Sequence, residues 1–214
     1  MIAPGAPVAG VVLAGGRASR MGGRDKAFAA VEGEPIAVRA VRIFRSLFAQ
    51  VLVSTNRPER FAGLDVQTVA DQFPGCGPLA GIHAALLASR YPHVFVAACD
   101  MPGLDPDVIR FLLGRVGSAE AVVPCWDGDV EPLHAVYAVG ALREIEAHLR
   151  AGQNAVRDVL RRLRVDYVSE AEMRAVRGAA RSLTNVNTPE ELAAVGGRFD
   201  DAPSRSPTPS SSTS

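Results

Sequence analysis

The sequence predicts a three-layer, Rossmann-like α/β fold, a mostly parallel sheet with helices on both faces. Three observations lead there. Apolar runs of four to eight residues recur along the chain, as strands buried on both faces require. Stretches with apolar residues at helical spacing separate these runs, the alternation that produces parallel βαβ units. The chain has 214 residues, of which 48% are hydrophobic and 21% charged, enough for one domain with its own core.

Residues 8–14 (VAGVVLA) read as the first buried strand. Residues 36–48 carry apolar side chains at helical spacing, and 51–54 and 66–70 read as the second and third strands. A helix is expected over 79–89, after a Gly-Pro pair, and a fourth strand over 93–99 (HVFVAAC). Residues 105–116 read as a helix with Pro106 in its first turn. Strands follow at 121–124 and 133–139, helices at 141–150 and 155–163, and a short strand at 165–168. Residues 188–195 (TPEELAAV) open with Thr188 as a cap, Pro189 next and Glu191 three residues on, a helix-start signature. The single domain is expected to span 1–197, followed by a disordered Ser/Pro-rich tail at 198–214. Residues 203–214 (PSRSPTPSSSTS) contain no large apolar side chain and cannot offset the entropy of ordering.

The 23 basic and 23 acidic side chains cancel. A nucleic-acid binder usually carries a basic excess, so no nucleic-acid partner is expected. The opening residues MIAPGAPVAG lack a signal peptide's basic segment and apolar run. No run approaches the roughly 18 apolar residues of a membrane span, so a cytoplasmic protein without a membrane partner is expected. Cys76, Cys99 and Cys125 are too few and too scattered for a disulfide framework or a zinc site. Of the 23 basic residues, 22 are Arg and only Lys26 is Lys. Base composition of the coding sequence accounts for such a bias, but a site needing a compact ammonium on a flexible stem resists the exchange.

Ligands of open α/β sheets bind beyond the carboxyl ends of the strands. Directly after the first strand the chain reads LAGGRASRMGGRDK (13–26). Its glycine pairs let backbone N–H groups approach a phosphate closely, and Arg17, Arg20, Arg24 and Lys26 surround them with cations. The pattern is neither a Walker A loop nor a GxGxxG fingerprint. Asp100 ends the fourth strand, where a carboxylate suits Mg²⁺ carried on reacting phosphates. Asn56 follows the second strand, and an amide can both donate to and accept from a base edge. Asp71 follows the third strand. Gly77 opens the GPLAG turn before a helix, a place for an anion or for close ligand approach.

LAGG-x3-RMGG-x-DK resembles the signature of the molybdopterin guanylyltransferases, relatives of the sugar-phosphate nucleotidyltransferases. The resemblance continues through STNR (54–57), GPLAGI (77–82), CDMP (99–102), EPLHAVY (131–137) and NVNTPEEL (185–192), covering about residues 8–196. It implies a nucleotidyltransferase fold and transfer of GMP from GTP to the terminal phosphate of molybdopterin or molybdenum cofactor, with Mg²⁺ and release of pyrophosphate. It also implies molybdoenzymes or other cofactor-biosynthesis proteins as partners. Lys26, Arg20 and Asp100 are the implied catalytic residues, Asp100 the metal ligand. Leu13, Ala14, Gly15, Gly16, Gly22, Lys26, Asn56, Asp71, Gly77 and Asp100 are implied in nucleotide binding. Asn187 is the candidate on the acceptor side, in a segment with Asn185 and Thr188. Trp126 stands beside acids where it could stack on a pterin, and Arg157, Arg161, Arg162 and Arg164 could meet a phosphate or simply face solvent. Related cytidylyltransferases carry LAAG and lack GPLAGI, which favours GTP. The alternatives are a molybdopterin cytidylyltransferase, a sugar-phosphate nucleotidyltransferase, or a non-catalytic GTP-binding protein that delivers cofactor.

Overall fold

The computed structural model of the chain describes residues 8–15 and 26–199. In chain order its first half holds β1 (Val8–Leu13), β2 (Ala30–Val31), β3 (Glu34–Pro35), α1 (Ile36–Leu47), β4 (Val51–Ser54), β5 (Gln67–Val69), α2 (Pro78–Ala88) and β6 (His93–Ala98). Its second half holds α3 (Pro106–Leu113), β7 (Ala121–Trp126), β8 (Asp129–Val130), β9 (His134–Ala138), α4 (Leu142–Arg150), α5 (Val156–Leu160), β10 (Val165–Val168), α6 (Glu170–Arg174), α7 (Ala179–Ser182), α8 (Pro189–Ala194) and β11 (Gly197–Arg198). The main sheet runs β10-β7-β9-β6-β1-β4-β5, with β8 paired to β7. β1 pairs in parallel with both β4 and β6, β4 with β5, and β10 with β7. β9 alone on this path runs antiparallel to its neighbours β6 and β7.

Two apolar layers sandwich the sheet, and strand alternation decides which side chain joins which. From β1, Val8 and Val12 point into one layer with Ala37, Val41 and Phe44 of α1 and Ile109 and Leu112 of α3. Ala9, Val11 and Leu13 point into the other, with Leu79 and Ile82 of α2, Ile145 of α4 and Val159 of α5. A strand buried on both faces explains the unbroken apolar run that marked it in the sequence.

Expected and observed elements agree closely at 51–54 and 165–168. The strand expected at 121–124 continues to Trp126, and the helix expected at 155–163 stops at Leu160. The β2–β3 and β7–β8 hairpins and β11 were not anticipated, because two-residue strands carry no readable alternation. Their turns are legible in hindsight. Glu32 and Gly33 have φ of 54° and 81°, and Asp127 and Gly128 have 49° and 77°, the paired positive values of two-residue hairpin turns that favour Asp-Gly. β11 pairs with β2, Gly197 opposite Val31 and Arg198 opposite Ala30, and Phe199 packs on the small cluster around Val31, Ile36 and Leu192. The expected boundary at 197 falls inside this strand, and residues 200–214 of the tail lie outside the described residues.

Gly10 lies under an aromatic group in which Phe44 meets Phe48 edge-on at 5.3 Å and Phe95 stacks on Phe48 at 5.9 Å. A Cβ at Gly10 would strike Phe48, and would come within 2.8 Å of Phe44. Gly10→Ala is therefore expected to lower stability by about 1–3 kcal/mol through overpacking, read from urea denaturation. An unchanged or raised midpoint would contradict this packing.

Candidate active site

Three strand ends come level around β1. Ala14 N–H donates to Ser54 O at 2.8 Å, and Cys99 N–H donates to Leu13 O at 3.0 Å. These bonds continue the ladders past the strands and set Gly15, Asn56 and Asp100 along one rim. Thr55 N–H donates to Val69 O at 2.9 Å and brings Asp71 to the same rim.

On the β4–β5 side, Asn56 and Asp71 lock reciprocally. Asn56 Nδ2 donates to Asp71 Oδ2 at 2.9 Å, and Asp71 N–H donates to Asn56 Oδ1 at 3.1 Å. Ser54 Oγ, almost wholly buried, donates to Asp71 Oδ1 at 3.4 Å. The Cβ position of Gly15 would lie 4.0 Å from Asp71 Oδ2, so the entrance to the glycine-rich loop abuts this pair. Each end of the Asn56 amide keeps unused capacity, one N–H and one lone pair, for a base edge. Gly77 begins α2 with φ of 68°, a left-handed value suited to glycine. Gly81 of α2 lies so close to β4 that a Cβ there would meet Ser54 Oγ at 2.8 Å. The GPLAGI segment thus packs α2 onto the strand that carries Asn56.

Gly16, Arg20 and Gly22 lie outside the described residues. Lys26 opens a 3₁₀ turn, Lys26–Phe28. The turn is anchored by Ala27, buried in the core layer of α1, and by Phe28, whose ring lies 5.2 Å from that of Phe61 and under the Arg60 guanidinium at 4.4 Å. The backbone at Lys26 is therefore fixed to the body of the domain.

Asp100 is half-buried past the end of β6, and its backbone carbonyl accepts from Val186 N–H at 2.8 Å. The helix that follows is capped by Asp105, which accepts from Asp107 N–H at 2.9 Å, so capping does not account for Asp100. Val186 is buried in the small cluster. Thr188 caps α8, accepting from Glu191 N–H at 3.1 Å, and the Glu191 carboxylate accepts from the Asn187 and Thr188 N–H groups. On the β9 side, Glu131 lies within electrostatic reach of Asp100 and of the Asn185 side chain. Burial raises the Glu131 pKa, and the Asn185 side chain and the Arg157 charge partly counter it. Glu131 was not among the expected site residues, and Asn185 was expected only as part of the acceptor-side segment.

Among the described residues no three His, Cys, Asp or Glu side chains gather into a metal cage. Mg²⁺ does not need one. It takes one or two carboxylates and completes its shell with phosphate oxygens and water, so Asp100 fits a phosphate-borne cation.

Trp126 is only 9% exposed, and the Arg174 guanidinium covers its ring at 4.6 Å. Of the four arginines, Arg157 is paired to Asp129, Arg161 to Asp158 and Arg164 to Glu120, and Arg162 is exposed.

The family profile of the MobA-like NTP transferase domain matches residues 10–168. The chain belongs to the MobA-like NTP transferase family. It is 39% identical over 183 residues to a probable molybdenum cofactor guanylyltransferase of Pelotomaculum thermopropionicum, covering 86% of this chain and 89% of that one. It is 36% identical over 186 residues to the molybdenum cofactor guanylyltransferase of Desulfosudis oleivorans, covering 86% and 92%. The crystal structure of molybdopterin-guanine dinucleotide biosynthesis protein A from Archaeoglobus fulgidus superposes with a TM-score of 0.76 at 28% identity, covering 87% of this chain and 96% of that one. The Rossmann-like nucleotidyltransferase sheet expected from the sequence is the fold of this MobA-like chain.

One polar residue of the MobA-like domain near the rim is set apart from proton transfer. His134 is fully buried, neither ring nitrogen has a partner, and the ring meets Phe95 edge-on at 5.2 Å. Burial lowers its pKa to about 3, so the ring is neutral near pH 7. The unfolded chain protonates this histidine near pH 6.5 while the fold resists. Stability is then greatest above about pH 6.5 and falls toward pH 3, by up to about 1.4 kcal/mol per pH unit. His134→Leu is expected to flatten that acid limb in urea titrations between about pH 7 and pH 5. A parental slope in the variant would contradict it. His83 and His93, whose pKa values burial also lowers, keep part of the slope.

Proposed function

We propose that this chain transfers GMP from GTP to the terminal phosphate of molybdopterin or molybdenum cofactor, releasing pyrophosphate, in a Mg²⁺-dependent reaction. The observation that carries the reading is the placement of Asp100 and the Asn56–Asp71 pair on opposite sides of β1, the strand that feeds the glycine-rich loop. Relatives at 36–39% identity that carry the guanylyltransferase name support GTP as the donor. Three scattered cysteines suit a cytoplasmic enzyme.

The acceptor phosphate is already ionised near neutral pH, so the attack on the α-phosphorus needs no strong base from the protein. Catalysis then rests on alignment and on charge placed where negative charge builds up. Leu13, Ala14 and Gly15 offer backbone groups to guanine, and Asn56, held by Asp71, offers an amide. Gly16, Gly22, Arg20 and Lys26 meet the phosphates, Lys26 and Arg20 stabilising charge on the transferring and leaving groups. Gly77 leaves room at the start of α2. Asp100 holds the cation, and Asn187 lines the acceptor side. A bound Mg²⁺ would neutralise phosphate charge and draw electron density from the α-phosphorus.

Pyrophosphate release with the purified molybdopterin cofactor, Mg²⁺ and each nucleoside triphosphate tests the reading. Turnover with GTP well above CTP supports it. CTP preference, turnover only with a sugar phosphate, or tight GTP binding without pyrophosphate release would overturn it. Lys26→Ala is expected to lower kcat/KM by about a hundredfold or more, with the thermal midpoint within a few degrees. Normal transfer by that variant would remove Lys26 from the mechanism.

A further inference from the structure

A cavity of about 270 Å³ lies between the β2–β3 hairpin, α1, the 102–103 segment, α7 and the end of α8. Val31, Pro102 and Val195 give it apolar walls, and Glu32, Arg39 and Arg181 give it charge. Three chain segments reach it directly from the proposed reaction site. The turn that begins at Lys26 runs into β2 and so to Val31 and Glu32. Pro102 and Gly103 follow Asp100, which puts the Pro102 Cα at most about 7 Å from that of Asp100. Thr184, also on the cavity wall, stands two residues before Val186, whose N–H donates to the Asp100 carbonyl at 2.8 Å. A Cβ at Gly103 would strike the Arg181 carbonyl and come within 2.6 Å of Arg181 Cγ. The glycine therefore lets α7 bring Arg181 against the cavity.

Glu32 sits in the hairpin turn with its side chain 69% exposed. Its Oε2 accepts from Arg39 Nη1 at 2.7 Å, and Oε1 is outside that pair. Arg39, and more weakly Arg181, hold the carboxyl below the usual carboxylate range, so it is ionised near pH 7. Both oxygens keep lone pairs for a ligand. Arg181 reaches Asp105 at 3.5 Å and is 65% exposed, and a guanidinium carries five N–H donors, more than that contact uses. Such a cavity suits a flat ring with two adjacent N–H donors on one edge and a carbonyl beside them. A 2-amino-4-oxo pyrimidine is such a ring. A carboxylate pairs with its donor edge as with a guanidinium, and an arginine meets its carbonyl or its face. Pterins and guanine share that edge. Guanine is placed on the β4–β5 side by the Asn56–Asp71 pair. The cavity is also slightly smaller than the roughly 300–1,000 Å³ of drug-sized ligand sites, room for a bicyclic ring and not for a whole nucleotide.

We propose that this cavity receives the pterin ring of the acceptor, the Glu32 carboxylate pairing with the ring's 2-amino and N3–H groups. The proposal rests on the guanylyl-transfer reading for the identity of the acceptor. A ring seated here is near enough to Asp100 for the phosphate at the molecule's other end to meet the cation.

The test titrates the full chain into fluorescent 6-hydroxymethylpterin and follows anisotropy, with GTP and Mg²⁺ saturating so that the guanine site is filled. The parent is expected to bind the free ring with a Kd of about 1 mM or tighter. Lumazine has a carbonyl where the pterin has its 2-amino group. It is expected to bind at least about tenfold more weakly, because that carbonyl faces the carboxylate without a donor between them. Glu32→Ala is expected to weaken pterin binding at least about tenfold. Val195→Phe, which fills the cavity, is expected to abolish it while the thermal midpoint stays within a few degrees. No binding by the parent at about 1 mM protein, loss of binding when GTP is added, equal affinity for lumazine, or parental affinity in either variant would overturn the proposal. In turnover, Glu32→Ala is expected to raise KM for the molybdopterin cofactor at least about tenfold, and more than KM for GTP. An equal rise in both would also overturn it. Absence of GTP-dependent turnover in the parent would instead sink the functional reading, and the pterin titration would still decide on the cavity.

Discussion

Two backbone hydrogen bonds off the end of β1, Ala14 N–H to Ser54 O and Cys99 N–H to Leu13 O, set the geometry on which the rest of the site depends. They hold three parallel strand ends level after the regular ladders stop. The residue next in line on each strand then reaches one rim: Gly15 from β1, Asn56 from β4 and Asp100 from β6. The constraint comes from burial. β1 is covered on both faces by separate apolar layers, so a one-residue slip would exchange its two sets of side chains between layers that differ in shape. Gly10 under the phenylalanines and Gly81 against Ser54 sharpen that register, because each allows an approach that any side chain would block.

The rim divides the chemistry. Toward β5 lie neutral and acidic groups locked to one another, Asn56 with Asp71, which suits recognition of an uncharged base. Toward β9 lie Asp100, which suits a cation carried on the triphosphate, and Glu131 and Asn185 beyond it, which suit the acceptor side. The anchored turn at Lys26 stands at the far end of the glycine-rich loop. Neutral, enclosed His134 fits a mechanism without a strong base, because no proton has to leave the ionised acceptor phosphate before attack.

The rim itself was legible in the sequence, because Asn56, Asp71 and Asp100 each follow closely on an apolar run. Asn56, Asp71 and Asp100 could be placed by finding where runs 51–54, 66–70 and 93–99 ended. Direction was not legible, since periodicity does not distinguish a parallel from an antiparallel neighbour. The reversed strand β9, which carries Glu131 to the rim by its amino-terminal end, stayed hidden. Asn185 and Asn187 also looked alike in sequence. Only the Val186 bond to Asp100 and the nearness of Glu131 single out Asn185. The cover over Trp126 was not legible either, because Arg174 lies 48 residues away. The short hairpins escaped because their strands hold two residues each, although Glu-Gly and Asp-Gly marked their turns.

In the proposed reaction the loop after β1 and the carboxylate after β6 grip one triphosphate from two sides. A crystal structure with a non-hydrolysable GTP analogue and Mn²⁺ in place of Mg²⁺ tests it most directly. The guanine is expected against Leu13–Gly15 and Asn56, the phosphates along the loop to Lys26, and anomalous density for the cation within bonding distance of Asp100. A triphosphate bound elsewhere, or a cation with no contact to Asp100, would contradict it.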